Sequence, residues 1–181
     1  MNLWYDMAMN AVYLLGSLLF LAGYMEFGSA LFLAGNGVAL VRALSSAPQR
    51  SQLEKGHEIL PLLLYLVGSC FFYVRDIYPG TVLFIAGSLY VLVYLLVPAI
   101  RKRDAAALRS LIPLALSLIG CLFFLTSVRV VGTLLFIVSN GMLLNRSLDR
   151  LIGSRLPKRA VQAAKLSSAE TEVPAPSESF K

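Results

Sequence analysis

Six stretches without an ionisable side chain set the terms on which this sequence can fold. Asp6 to Glu26 encloses 19 uncharged residues, Glu26 to Arg42 encloses 15, Glu58 to Arg75 16, Asp76 to Arg101 24, Arg109 to Arg129 19 and Arg129 to Arg146 16. With 57% of the 181 residues apolar and only 14% charged, where a soluble domain carries about a quarter, there is too little polar surface to cover such runs in water. They are predicted to be membrane-spanning helices. The runs of 15 and 16 residues fall short of the roughly 18 that mark a spanning helix, and at about 1.5 Å per residue the shortest covers only some 22 Å of a core about 30 Å thick. The predicted remedy lies at Arg42 and Arg146, placed at helix ends with their stems in the apolar layer and their guanidiniums among lipid headgroups.

The runs are not independent of one another. Gly16, Gly68 and Gly120 are 52 residues apart, as are Phe20, Phe72 and Phe124, then Gly28, Gly80 and Gly132, then Phe32, Phe84 and Phe136. Pro61 matches Pro113, and Asn36, Ser88 and Asn140 share one position. Ala11 to Leu44 set on Ala115 to Leu148 without a gap gives 14 identities in 34. A fixed period of this length is the mark of one supersecondary unit used repeatedly. Each unit reads as a helical hairpin. Its first helix carries Y/S-x-x-G-[SC]-x-x-F, a short tip follows (Tyr24 to Phe27, or Val74 to Tyr78), and the returning helix opens at the tip glycine with G-x-x-x-F-x-x-[GS]-[NS]. Pro61, Pro79 and Pro113 are expected where the third, fourth and fifth helices begin, since a missing N–H costs little there.

Tips this short join only antiparallel neighbours. The expected organisation is hairpin one in residues 1–45, a loop and hairpin two in 46–98, a loop and hairpin three in 99–148, a basic juxtamembrane segment in 149–166 and a disordered tail in 167–181. The fold class is all-α: six transmembrane helices as three tandem hairpins. An even number of crossings gives every unit the same orientation, so any pseudo-three-fold axis runs along the membrane normal.

Of the 16 lysines and arginines, only Arg75 and Arg129 sit at hairpin tips, so the positive-inside rule predicts an inner (plasma) membrane protein with both termini cytoplasmic. Three re-entrant hairpins would show the same asymmetry. They would also carry Glu26, Arg75, Asp76 and Arg129 into hydrocarbon, where one charge costs some 2.5 to 3.5 kcal/mol at the midplane. No basic region and no small-residue cleavage pattern accompany the first run, which is therefore expected to be a retained helix. Arg155, Lys158 and Arg159 form a basic stretch that reads either as a solvated tether or as a contact with anionic lipid headgroups. The bilayer is the expected partner, with a second copy or another membrane protein as candidates, and nucleic acid is not expected.

Catalysis finds little material here. The single histidine, His57, lies near Glu54 and Glu58 in what reads as ordinary loop, and Cys70 and Cys121 read as small packing residues in separate hairpins, so no cofactor or metal is expected. The pairs Gly16-Ser17, Gly68-Ser69 and Gly120-Cys121 allow close backbone approach, which is how apolar helices associate in lipid. The phenylalanines fill the space beside them. Asn36 and Asn140 are the sharpest polar residues, because an amide in hydrocarbon must find a partner. One reading is an interhelical hydrogen bond, worth about 0.6 kcal/mol in such proteins. The other is a polar ring of Asn36, Ser88 and Asn140 around a path for a small solute or ion. The functional expectation is a non-enzymatic structural or interaction module, with that pathway as the alternative and a membrane enzyme using His57 a remote third.

The pattern G-S-x-x-F, tip, G-x-x-x-F-x-x-G-S resembles the YrhK-like family of small bacterial membrane proteins, whose unit is a two-helix hairpin with the same punctuation. Gly16-Ser17, Phe20, Gly28, Phe32 and Gly35 carry the likeness in the first copy, and Gly68-Ser69, Phe72, Gly80, Phe84 and Gly87-Ser88 in the second. The third copy departs at Cys121 and Ser139-Asn140. The six-helix arrangement is also similar, more weakly, to HdeD-type stress proteins, without the phenylalanine register. Both resemblances imply a membrane location and a hairpin fold, and neither implies a reaction.

Overall fold

The computed structural model describes residues 3–45, 52–126 and 128–155. Over these the chain forms α1 (Leu3–Leu21), α2 (Met25–Ser45), α3 (Gln52–Tyr73), α4 (Ile77–Arg101), α5 (Ala105–Ser110), α6 (Ile112–Phe124) and α7 (Arg129–Arg155). No strand occurs among the described residues. Among the described residues six spans are long and apolar enough to cross a membrane: α1, α2, α3 from Gly56, α4, α5 with α6 (Ala105–Phe124), and α7 as far as Gly153. The chain has the architecture of an all-α, multi-pass membrane protein. Its burial is inverted relative to a bundle in water, with Ser17 and Thr81 each 1% exposed while Phe27 is 67% exposed. That distribution suits lipid as the outer solvent, because small polar side chains let helices approach and bulky apolar ones cost nothing facing hydrocarbon.

Each returning helix starts three residues before its tip glycine, at Met25, Ile77 and Arg129, so the helix openings are earlier than the glycines suggested. They keep the 52-residue spacing. The first two tips turn through a left-handed residue, Gly23 at φ +87° and Arg75 at φ +64°. Around them, Tyr24 N–H donates to Leu19 O (2.8 Å) and Asp76 N–H to Phe71 O (2.9 Å), the six-to-one bond that closes a helix C-terminus.

Helix neighbours in sequence are neighbours in space, and the last meets the first. The chain packs α1 on α2, α2 on α3, α3 on α4, α4 on α6, α6 on α7 and α7 on α1, with α4 on α6 the least extensive of the six contacts. The three hairpins therefore close a ring.

Two proline expectations part company. Pro61 does not begin a helix: α3 starts at Gln52 and runs through it, which also places His57 in a helix and not in a loop. Pro113 does mark a break, since α5 ends at Ser110 and α6 begins at Ile112. Neither piece spans alone, and together they make one span of 20 residues. Proline lacks the N–H that would bond the carbonyl four residues earlier, at Arg109. In this structure that carbonyl accepts from Arg146 Nη2 at 2.7 Å, and Ser110 O accepts from Arg146 Nη1 at 2.9 Å. The segment predicted as 149–166 begins as helix, with α7 continuing to Arg155. Lys158, Arg159 and the predicted tail lie outside the described residues, as does the side chain of Arg155.

Candidate functional site

The ring has two unlike halves. Toward the tips, the small residues bring each pair of helices into backbone contact. A Cβ built on Gly28 would lie 2.7 Å from Gly16 O, one on Gly80 2.9 Å from Gly68 O, and one on Gly132 2.7 Å from Gly120 O. Six phenylalanines fill the interior at this level. Phe72 is the hub, with ring centroids 5.9 Å from Phe20, 5.3 Å from Phe84 and 6.4 Å from Phe124, while Phe32 lies 5.6 Å from Phe20 and Phe136 5.8 Å from Phe124. The gap left among these rings is about 20 Å³. Nearby hydroxyls are engaged by their own helices, Ser17 with Tyr13 O (2.9 Å), Thr81 with Ile77 O (2.8 Å) and Thr133 with Arg129 O (3.0 Å). An apolar gap of this size, with its polar groups already satisfied, stays dry.

Toward the base, which carries the chain's N-terminal end, the ring is hollow. A cavity of about 390 Å³ is lined from all seven helices, by Asn10 and Tyr13, Asn36, Leu62 and Tyr65, Ser88 and Leu95, Ser110, Leu114 and Ser117, and Ser139, Asn140 and Leu143, and it ends on Phe32, Phe84 and Phe136. At about 30 Å³ per molecule in liquid water it has room for on the order of a dozen waters, or for one organic molecule at the small end of the usual pocket range. Among the described residues no Asp, Glu, Lys, Arg or His lines it.

The residues singled out as a polar ring, Asn36, Ser88 and Asn140, all line this chamber, and the amides also tie hairpin to hairpin. Tyr13 OH donates to Asn36 Oδ1 (2.9 Å), and Asn36 Nδ2 donates across the α2–α3 seam to Ser69 Oγ (3.1 Å). Asn140 Nδ2 donates across the α7–α1 seam to Ser17 Oγ (3.0 Å). Tyr65 OH donates to Ser88 Oγ at 3.2 Å. Packing and lining, treated as alternatives from the sequence, fall on the same side chains. Asn10 adds a second tie at the α7–α1 seam, donating to Ser147 Oγ at 2.9 Å.

The base of each hairpin is held at one shared repeat position, that of Arg42, Tyr94 and Arg146. Arg42 stands over the Tyr5 ring, 3.9 Å from its centroid, with Asp6 at 3.5 Å. Its repeat equivalent Tyr94 stacks on His57 with centroids 4.4 Å apart, and His57 Nδ1 also bonds Tyr90 OH. Arg146, third in the series, holds the α5 carbonyls. Arg42 and Arg146 thus each have a partner within the protein at the base end of their helices, and a charge inside a span is cheapest with a partner on the neighbouring helix. These clasps let α2 and α7 run past their arginines, which answers the length shortfall: α2 has 21 residues and α7 27.

Tyr13, Tyr65 and Ser117, which line the chamber, were missed as site residues although the motif's leading Y/S position marks all three. Asn10 and Ser110 gave no repeat signal at all. Among the described residues no group of three His, Cys, Asp or Glu side chains is placed to hold a metal ion. Comparison with protein family models, with curated proteins and with solved structures gave no match.

Proposed function

We propose that this protein is a membrane receptacle for one small uncharged molecule, without catalytic activity, set in the inner (plasma) membrane with both termini cytoplasmic. The observation that carries the reading is the chamber of about 390 Å³ with amides, hydroxyls and leucines on its wall and, among the described residues, no charged side chain. A module that only packed against neighbours gains nothing from a hollow interior, because helices in lipid associate by close contact. An ion would shed its water without meeting a counter-charge or a ring of carbonyls. A neutral molecule with one or two hydrogen-bonding groups on an apolar body finds partners for both. The six phenylalanines close the chamber toward the tips, and the orientation is supported by the excess of basic residues at the base. The Gly-Ser and Phe register supports kinship with the YrhK-like family.

The test uses a neutral photoactivatable alcohol, 3-azioctanol, with the protein in phosphatidylcholine vesicles and adducts mapped by mass spectrometry. Adducts are expected on Tyr13, Tyr65 or Asn140 and are expected to be competed by excess octanol. Ser117→Tyr, which copies the ring present at that repeat position in the other two hairpins, occupies part of the chamber and should cut these adducts several-fold with the fold intact. Adducts confined to outward leucines and valines, or unchanged in Ser117→Tyr, would overturn the reading.

A further inference from the structure

The three seams between hairpins are not equivalent, and the difference is polar. At α2–α3 the amide of Asn36 meets Ser69, and at α7–α1 Asn140 meets Ser17. The same repeat positions at α4–α6 hold Ser88 and Cys121. Ser88 is too short to imitate the amide, and its hydroxyl is met by Tyr65 of its own hairpin. The second tie at α7–α1, Asn10 to Ser147, has as its counterparts at α4–α6 Leu114 and Leu95. Among the described residues no side-chain hydrogen bond joins α4 to α6, and that contact is the least extensive in the ring. Beside it the helix is broken at Leu111, and the carbonyls freed by the break are held from α7 and not from α4. Leu95 and Leu114 also line the chamber, and of the described apolar side chains lining it Leu95 alone is exposed as well, at 42%.

Two seams are thus closed by hydrogen bonds, which are directional and are lost abruptly on separation, and one by leucine against leucine. In a bilayer the second kind of contact exchanges freely for acyl chain, because lipid is as apolar as leucine. Given the chamber as a binding site, on which this rests, we infer that its occupant arrives sideways from the lipid between α4 and α6, and so is a neutral amphiphile dissolved in the bilayer and not a solute drawn from water. Its apolar body passes the leucines, and its polar end turns to Asn36 and Asn140 on the far wall.

The experiment compares two photoprobes in phosphatidylcholine vesicles. One is 3-azioctanol, which can reach the chamber by any route. The other is a phosphatidylcholine with a diazirine at the end of one acyl chain, which cannot leave the bilayer. The inference expects the lipid probe to mark Tyr65 and Ser117 inside the chamber. Ser88→Asn with Cys121→Ser, which installs at α4–α6 the tie the other seams have, should reduce that labelling at least tenfold relative to equilibrium labelling by 3-azioctanol, the ratio being read because Ser88 itself lines the chamber, and an unchanged ratio would overturn the α4–α6 route. Leu95→Ser with Leu114→Asn copies the other tie and serves if the first pair does not fold. Lipid-probe adducts on outward faces alone, with 3-azioctanol still in the chamber, would overturn lateral access and leave the receptacle standing. Failure of both probes to mark the chamber would overturn the receptacle itself.

Discussion

At the level of Phe20 the three hairpins present the same residue, and Phe20, Phe72 and Phe124 meet across the ring with one gap of about 20 Å³ among them. Two turns toward the base, the hairpins present Tyr13, Tyr65 and Ser117, and the interior opens to about 390 Å³. The tip half repeats both its small and its large residues, so each hairpin supplies one share of a filled cross-section. The base half repeats its positions but not its residues, and three unlike shares do not fill it. Sameness between the copies goes with steric closure, and divergence between them goes with space and hydrogen-bonding groups.

Removing the hub of the filled half should have the largest effect. Phe72→Ala empties a buried site touching three other rings. Phe→Ala in water-solvated cores costs about 3 to 5 kcal/mol, part of which is transfer from water; in lipid that part is missing, and a loss of about 2 to 3 kcal/mol is expected. Tyr65→Ala, in a wall that already faces a cavity, should cost about 1 kcal/mol, chiefly the bond to Ser88. Equilibrium unfolding in mixed detergent reads both, and equal losses would erase the distinction between the halves.

A smaller effect separates glycines by where they stand. Gly132→Ala drives a methyl to within 2.7 Å of Gly120 O and 2.9 Å of the Phe124 ring. The backbone at that crossing cannot yield, and the expected cost is about 1 to 3 kcal/mol. Gly141, nine residues nearer the base on the same helix, has nothing within 4 Å of a built Cβ, so Gly141→Ala should stabilise by up to about 1 kcal/mol through helix propensity. Thermal unfolding of the pair in one detergent checks the sign, and a stabilising Gly132→Ala would deny the tight crossing.

Below this come the amides. Asn36 is engaged on both sides, with Tyr13 and Ser69, whereas one bond is drawn from Asn140. At about 0.6 kcal/mol per interhelical bond, Asn36→Leu should cost roughly twice what Asn140→Leu does. Unfolding free energies of the two single variants give the ratio, and a costlier Asn140→Leu would reverse the assignment.

The parts of this architecture that were readable from the sequence are those carried by residue identity. The uncharged runs counted the spans, and the glycine and phenylalanine spacing located the tips and the crossings, because a position that must be small or must fill space admits few substitutes. The base clasps were not readable in this way. Tyr5 with Arg42, His57 with Tyr94 and the Arg109 carbonyl with Arg146 occupy the same two repeat positions, yet they use a cation over a ring, a ring on a ring and a guanidinium on a carbonyl. Different chemistry at a shared position hides from any comparison of letters. The chamber was half readable: Asn36, Ser88 and Asn140 stood out as polar residues in apolar runs, but a cavity is a statement about what three unlike side chains leave unfilled. Pro61 and Pro113 misled by being alike, since a proline is carried through in α3 and breaks the helix at α5–α6.

The smallest expected effect lies where two hairpins meet outside the ring's interior. Arg75 holds a left-handed conformation, at about 1 to 2 kcal/mol for a residue with a Cβ, at the position where the first tip has Gly23. It also reaches Glu26 of the first hairpin, with Nε 3.0 Å and Nη2 2.7 Å from Oε1. Both side chains are well exposed, so the pair contributes no more than about 0.2 to 1 kcal/mol. Arg75→Gly relieves the backbone, surrenders the pair and adds about 0.5 to 1 kcal/mol of unfolded-state entropy. These contributions nearly cancel, and the variant should unfold within about 0.5 kcal/mol of the native chain. A cycle with Glu26→Gln separates them. If the pair matters, Arg75→Gly is more favourable in the Glu26→Gln background than in the native one, by the pair's own contribution. If the two backgrounds agree, the arginine is there for its charge at the membrane surface and not for its partner. In either case 3-azioctanol labelling of the chamber should not change, because the tip lies beyond the phenylalanines, and a change would mean that the filled half transmits to the hollow one.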